Sequence, residues 1–496
     1  MNISIPGEVP MSTIHDQAMN YVYQQVLQRL MSFFSRAERT ALQLLIHRLV
    51  VAAGGMERIG DFKVMVVQSG SRDCCYTLAL LRAAQLTIAG RAPATFQLRV
   101  ATLRWNGTEV SALQNLHRSY SALFLYDDPR VELLMVDHRE VLPFDHEVPV
   151  SEAAREANRL NLMMIGHRRN RTEKLELWDD LYLATAEFYG QVARWNNGVD
   201  AMISSEPARR QKQFLDGLDR ALQKAGIGGL PPNSGSFEEL FPLLDGLGGD
   251  LYRELYSETE LTPWRPEGTF EACRRTCFVD IHDMVVGNLV EHWPLLSDFL
   301  GFQASELICQ QSASHSADPL VIAHLEGMQA NFIEGRTYEA GVGDYLQRNL
   351  VLMQDKQIPA PICEQWLATF DNPADLEQRR NQAAAALQNT FELNETQLIC
   401  LLFGPFIDSG AGLEHFLRSC HPGMLVALPE LHRAMQGLHA PEQVLKWMTD
   451  VSGLPVRLIV QLYSMGPFKL RVTANAAEQG NTPRKSTVPG DRSAEG

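Results

Sequence analysis

The chain has 496 residues, of which 45% are hydrophobic and 21% charged, with a formal net charge of -15. That length exceeds one ordinary core and predicts two or three domains, and the composition excludes a wholly disordered chain. No apolar run approaches the roughly 18 residues of a membrane span, and the acidic balance argues against a protein that grips nucleic acid by its phosphates. Eight cysteines, two of them adjacent (Cys74 and Cys75), do not make a disulfide framework. The first twenty residues lack a basic segment followed by an apolar one, so a cytoplasmic protein with no membrane association is expected.

Tyr21, Val22, Val26, Leu30, Phe33 and Phe34, then Leu42, Leu44, Leu45 and Leu49, fall at helical spacing. They predict two helices joined near Ser35, the second ending at Gly54 and Gly55. Residues 62–67 form a short valine-rich run typical of a strand buried on both faces. It runs into Ser69, Gly70, Ser71, Arg72 and Asp73, after which residues 74–89 read as helix. Residues 96–105 predict a second strand, 112–124 a helix and 131–136 a third strand. A helix over 151–160 precedes a fourth strand over 161–165, and another helix runs from about 172 to 194. Strands alternating with helices imply a parallel sheet with right-handed crossovers. Beyond residue 200 helical periodicity dominates to about 465, with loops near 226–236, 262–268 and 310–319 and no fixed-period repeat. Residues 473–496 are polar and rich in Gly, Pro, Ser, Asn and Thr, and read as a disordered tail.

The strand–loop–helix over residues 62–89 carries the chemical information. A loop at the carboxyl end of a buried parallel strand, opening a helix, is where open α/β sheets bind ligands, and its amides and helix dipole favour phosphate. The glycine spacing suits neither a dinucleotide fold nor a Walker loop. Instead Ser69, Gly70, Ser71, Arg72, Asp73 and Cys74 resemble the Ser-Gly-Gly-x-Asp-Ser signature of the PP-loop ATP pyrophosphatases. A plain strand-to-helix turn with an acidic helix start would account for the hexad alone. Met163, Met164, Ile165, Gly166, His167 and Arg168 resemble the Leu-Gly-His-His segment of the same superfamily, nearest its tRNA 2-thiocytidine synthase and tRNA-lysidine synthetase members. The resemblance covers residues 38–192.

It implies a Rossmann-like parallel-sheet PP-loop domain followed by a large, mainly α-helical region. The expected organisation is N-terminal helices over 1–55 packed on an α/β nucleotide-binding domain over 56–200, then helical domain or domains over 201–472 and the tail. The family activates an amide-like carbonyl with ATP: the oxygen attacks the α-phosphate, pyrophosphate leaves, and a nucleophile displaces AMP. By resemblance, Ser69, Gly70 and the backbone of Ser71, Arg72 and Asp73 would hold phosphate oxygens, with Cys74 where the family has a hydroxyl donor. Arg72 would add a charge-assisted contact, and Asp73 would orient the loop or hold Mg2+. Gly166, His167 and Arg168 would face the nucleotide from a neighbouring strand end, with His167 and Asp73 the catalytic candidates.

Several positions depart from the family. Ser71 replaces a glycine whose bare backbone lets phosphate approach, and Cys74 is a poorer donor than a hydroxyl. Arg169, Asn170 and Arg171 stand where the family has paired aspartates, and no Cys-x-x-Cys lies between the two motifs. Iron–sulfur-dependent thiolation is therefore disfavoured. Two functions stay open: an ATP-dependent enzyme adenylating a carbonyl of a small molecule or modified nucleobase, and a non-catalytic nucleotide-sensing or protein-interaction scaffold with a regulatory, defence or effector role. A protein partner would use the helical region, and an RNA substrate is conceivable only through a local basic patch.

Weaker constellations add little. Cys273 and Cys277 with Glu271, His282, Asp283, Glu291 and His292 match no metal signature, and helical Cys at that spacing are usually buried. His167, Arg168, Arg169 and Arg171 form the densest basic cluster near the expected site, fitting either a solvated helix start or a phosphate partner. Trp264, Trp293 and Trp447 read as packing residues.

Overall fold

Residues 11–108, 110–137, 140–169, 173–175, 177, 179–225, 230, 237–240, 276–285, 289–303, 318–355, 363, 364, 367, 368, 370 and 373–467 are described by a computed structural model. The tail over 473–496, Trp264, Cys273 and most of the expected loops lie outside these residues.

β1 (Lys63–Val67) is the pivot of the fold. Its side chains alternate as in any strand: Val64 and Val66 pack with Leu78, Leu98 and Val100, while Met65 packs on the opposite face with Ala101, Phe188 and Met202. Burial on both faces explains the unbroken apolar run and dictates neighbours on either side. These are β2 (Gln97–Arg104) and β5 (Ala201–Ser204), both parallel to β1. β3 (Val131–Asp137) extends the sheet beyond β2, β4 (Glu140–Pro143) closes that edge antiparallel, and β6 (Cys277–Asp280) closes the other in parallel. The order is β4-β3-β2-β1-β5-β6.

One face is covered by α1 (Met11–Phe33), α2 (Arg36–Ala52), α3 (Arg72–Ala89), α4 (Val110–Ala122) and α8 (Leu289–Pro294). Ser35 and Glu38 form the capping box that starts α2, with Glu38 Oε2 accepting from the Ser35 amide at 2.7 Å. Packing on the other face are α5 (Glu152–His167), α6 (Asp179–Arg194) and α7 (Ala208–Ala225). Buried Arg99 on β2 ties α6 to the sheet, donating to the Val192 and Trp195 carbonyls at 2.9 and 2.7 Å near the carboxyl end of that helix.

Two expectations are corrected. Residues 161–165 are not a strand: they are the second half of α5, which starts at the Ser151 cap and runs unbroken through His167. The run Leu162, Met163, Met164 and Ile165 is continuously buried because α5 lies between the sheet layer and later helices. A short apolar run buried all round reads alike as strand or helix. The missing parallel strand is β5. The sheet also runs past the boundary expected at residue 200, since β5 and β6 both lie beyond it.

The remaining helices are α9 (Pro319–Phe332), α10 (Tyr338–Asp355), α11 (Pro373–Phe391), α12 (Glu395–Phe403), α13 (Leu413–Cys420), α14 (Leu428–Met435), α15 (Glu442–Ser452) and α16 (Val456–Ser464). They share one core with α5: Met163 and Ile165 pack in the cluster that holds Leu401, Phe403 and Leu462. No helix among the described residues is long and apolar enough to cross a membrane.

Candidate functional site

From β1 the chain steps through β2 and β3 in one direction and reaches β5 and β6 in the other, so the strand order reverses between β1 and β5. In open α/β sheets, ligands bind in the crevice outside the strand carboxyl ends at such a reversal. Here the segments after β1, β5 and β6 meet around a cavity of about 170 Å3. Arg72, Asp73 and Tyr76 line it from α3, Ser205, Glu206, Pro207 and Arg210 from the β5–α7 junction, His282 and Val285 from the turn after β6, and His292 from α8.

The loop after β1 is shaped by Gly70. Its φ is +77°, and a Cβ there would stand 2.4 Å from the Ala112 carbonyl oxygen of α4. Both facts demand glycine. Ser71 is the N-cap of α3, its hydroxyl accepting from the Cys74 amide at 3.4 Å. Ser71 therefore does a local task, and it takes up the Cys74 amide. The amides of Gly70, Ser71, Arg72 and Asp73 have no partner among the described residues, while the Ser69 amide donates to the Cys74 sulfur. Cys74 Sγ lies 3.3 Å from Ser69 Oγ, and burial, then the Glu206 charge, pushes the thiol up.

Asp73 is engaged on both oxygens: Arg72 Nε donates to Oδ1 at 2.8 Å and Arg210 Nη1 to Oδ2 at 3.3 Å. Burial alone would raise this carboxyl, but the two guanidinium groups outweigh it and hold it below its ordinary value. Arg210 Nη1 also lies 3.4 Å from Glu206 Oε2. Thr77 Oγ1 donates to the Asp73 carbonyl at 2.8 Å and is 2.7 Å from Ser205 Oγ, which joins the β1 and β5 loops.

The far wall is formed by Tyr76 of α3 and His292 of α8 and is supported from behind by α2. Tyr76 stacks on His292 with ring centres 3.8 Å apart and donates its hydroxyl to Glu38 Oε1 at 2.7 Å. Burial, then Glu38, pushes that hydroxyl up, so it remains a donor. Glu38 is also 3.7 Å from His292 Nε2. Arg48 on α2 pairs with Asp283 at 3.0 Å and donates to the Asp280 carbonyl, which pins the turn bearing His282.

Of the expected site residues, Ser69, Gly70, Ser71, Arg72, Asp73 and Cys74 form one loop at this crevice, and Arg72 and Asp73 line the cavity. Gly166, His167 and Arg168 are not among its lining residues. They end α5 rather than a strand: Arg168 is its C-cap, Gly166 packs on Leu401, and the His167 carbonyl faces Gly404. His167 is fully buried near Phe406, both ring nitrogens without a hydrogen-bond partner, and burial, then the Arg169 charge, lowers it to about 3. Arg169 is buried as well, donating to the Leu402 carbonyl at 2.7 Å and Gln329 Oε1 at 3.3 Å. Arg171 lies outside the described residues, and Cys277 is on β6 rather than a helix.

Sequence reasoning missed Ser205, Glu206, Arg210 and Tyr76 as partners of the loop. The signal was present in Ala201, Met202 and Ile203 followed by Ser204, Ser205, Glu206 and Pro207, a short apolar run ending in a proline-initiated helix start. A strand over 161–165 would fill the sheet position that β5 takes. No family model, no curated protein and no solved structure matches the chain.

Proposed function

We propose that this protein binds the phosphate end of a nucleotide at the loop formed by residues 69–73, as a divergent relative of the PP-loop ATP pyrophosphatases. The supporting observation is the row of unpartnered amides from Gly70 to Asp73 at the β1–β5 reversal, beside a cavity lined by Arg72 and Arg210. Successive backbone N–H groups at a helix start make a concavity suited to anions. Pockets for a whole drug-sized ligand run to roughly 300–1,000 Å3, so a cavity of about 170 Å3 suits a phosphate group while the nucleoside lies outside it.

The reaction this reading carries is adenylation of a carbonyl on a small molecule or modified nucleobase, ATP supplying the electrophilic phosphorus and the pyrophosphate leaving group. The chain's own part is to hold phosphate oxygens on the amides of residues 70–73 and on the remaining N–H groups of Arg72 and Arg210, and to exclude water with the Tyr76–His292 wall. Donors fixed in advance toward developing charge are usually the largest catalytic term. Mg2+ fits less well. It takes near-octahedral oxygen ligands, commonly one or two carboxylates with phosphate oxygens, whereas the cavity carboxylates Asp73 and Glu206 are already bound by guanidinium groups. That engagement of Asp73 also favours the second reading, a nucleotide-sensing protein without turnover.

Thermal denaturation with ATP, AMP and pyrophosphate tests the binding. A ligand at a hundred times its Kd stabilises the native state by about 2.7 kcal/mol, and Arg72→Ala should remove most of the shift. An unchanged midpoint with millimolar ATP, AMP and pyrophosphate alike overturns the reading. Pyrophosphate release from ATP over a panel of carbonyl compounds separates the enzyme from the sensor.

A further inference from the structure

The two carboxylates of the cavity come from different loops, Asp73 opening α3 and Glu206 preceding α7. Between them lies one nitrogen, Arg210 Nη1, at 3.3 Å from Asp73 Oδ2 and 3.4 Å from Glu206 Oε2. Two carboxylates facing one point across a phosphate-binding crevice are the usual setting for a divalent ion, and here a covalently tethered cation stands at that point. Arg72 takes the remaining Asp73 oxygen at 2.8 Å, so neither oxygen of this carboxylate is left for a metal. We propose that Arg210 replaces the divalent cation of this site, so that the phosphate ligand is bound as a free anion by guanidinium and amide donors rather than as its magnesium complex.

The substitution is chemically consistent. A guanidinium carries five N–H donors in a planar fork. Arg210 uses Nη1 on the two carboxylates, while its Nε and Nη2 have no protein partner among the described residues. With Arg72 also on Asp73, two guanidinium groups balance the two carboxylates, and Arg210 still presents donors to a phosphate, which is the bridging task of a metal ion. Thr77 and Ser205 join the two loops that carry the carboxylates through a 2.7 Å hydrogen bond.

The inference rests on the phosphate-binding reading for one arm of its test and not for the other. In the first arm, the affinity of the full-length protein for ATP is measured by calorimetry with excess Mg2+ and again with excess EDTA. The expected affinities agree within about twofold, and a loss of about tenfold or more in EDTA overturns the proposal. In the second arm no nucleotide is present, and Mn2+ binding is followed by electron paramagnetic resonance. The wild type and Arg210→Lys should show no Mn2+ that depends on Asp73. Arg210→Ala and Arg210→Gln should each gain one bound Mn2+, lost again when Asp73→Asn is added. Wild-type Mn2+ binding abolished by Asp73→Asn, or no gain in either neutral variant, overturns the proposal. Should ATP fail to bind under every condition, the phosphate-binding reading falls while the Mn2+ arm still decides the role of Arg210.

Discussion

His167→Leu isolates the contribution of a buried, unpaired imidazole to acid sensitivity. The wild-type ring is fully buried with no partner on either nitrogen, and its folded value of about 3 lies well below the ordinary 6.5. Below pH 6.5 the unfolded chain binds a proton that the folded chain refuses. Stability is therefore full above 6.5 and is lost as pH falls toward about 3. Each pH unit in that window is worth about 1.4 kcal/mol, which gives about 2 kcal/mol from this residue by pH 5. His324, lowered to about 4 by burial and then by Arg380, adds a loss of the same sign. Replacing His167 should thus remove about half of the combined histidine loss and leave the His324 share. Leucine also eliminates two orphan nitrogens, so the variant should be at least as stable as wild type at neutral pH. Urea denaturation of both proteins at pH 7 and pH 5 reads the difference, about 2 kcal/mol at the lower pH. Equal losses in the two proteins would mean that the imidazole finds a proton or a water in the folded state, and the burial argument would be refuted.

Gly70→Ala should lower stability by about 3 kcal/mol, combining a left-handed backbone with a Cβ driven against the Ala112 carbonyl; a melting temperature within a degree or two of wild type would show that the loop has room. Asp128→Ala should be more damaging, by about 3–5 kcal/mol, because the Arg82 guanidinium, fully buried and 2.8 Å from Asp128, is left uncompensated; denaturant titration checks it. Ser71→Gly should cost only a few tenths of a kcal/mol at the helix cap, and by releasing the Cys74 amide should tighten ATP binding about fivefold, the value of one net hydrogen bond. Calorimetry that finds equal or weaker affinity counts against the loop as a phosphate cradle.

The parts of the fold that the sequence made legible are those where local chemistry and tertiary context agree. Val64, Val66 and Val67 followed by Gly70 and the Ser71 cap announce strand, turn and helix by themselves, and the first three strands were found this way. α5 failed because Leu162 to Ile165 carries the burial pattern of a central strand, and only the helices on its far side explain that burial. β5 and β6 failed for the opposite reason: four residues each are too short to show a period against a helical background. The loop half of the candidate site was therefore visible. The half supplied by Glu206, Arg210, His292 and Glu38 was not, since nothing local announces that residues so distant in the chain share one cavity.

The edge strand β6 joins β5 only after the 72 residues numbered 205–276 have been made. Its parallel pairing cannot form as a local hairpin. During synthesis the ribosome must extend the chain past Asp283 before Arg48 can pin the turn after β6, and past His292 before that ring can stack on Tyr76. A nascent chain halted before residue 276 would carry the whole β1 loop yet lack one wall of the crevice. Maturation of the site is thus set by a late, long-range contact whose loop-closure entropy makes it slow relative to the helices around it.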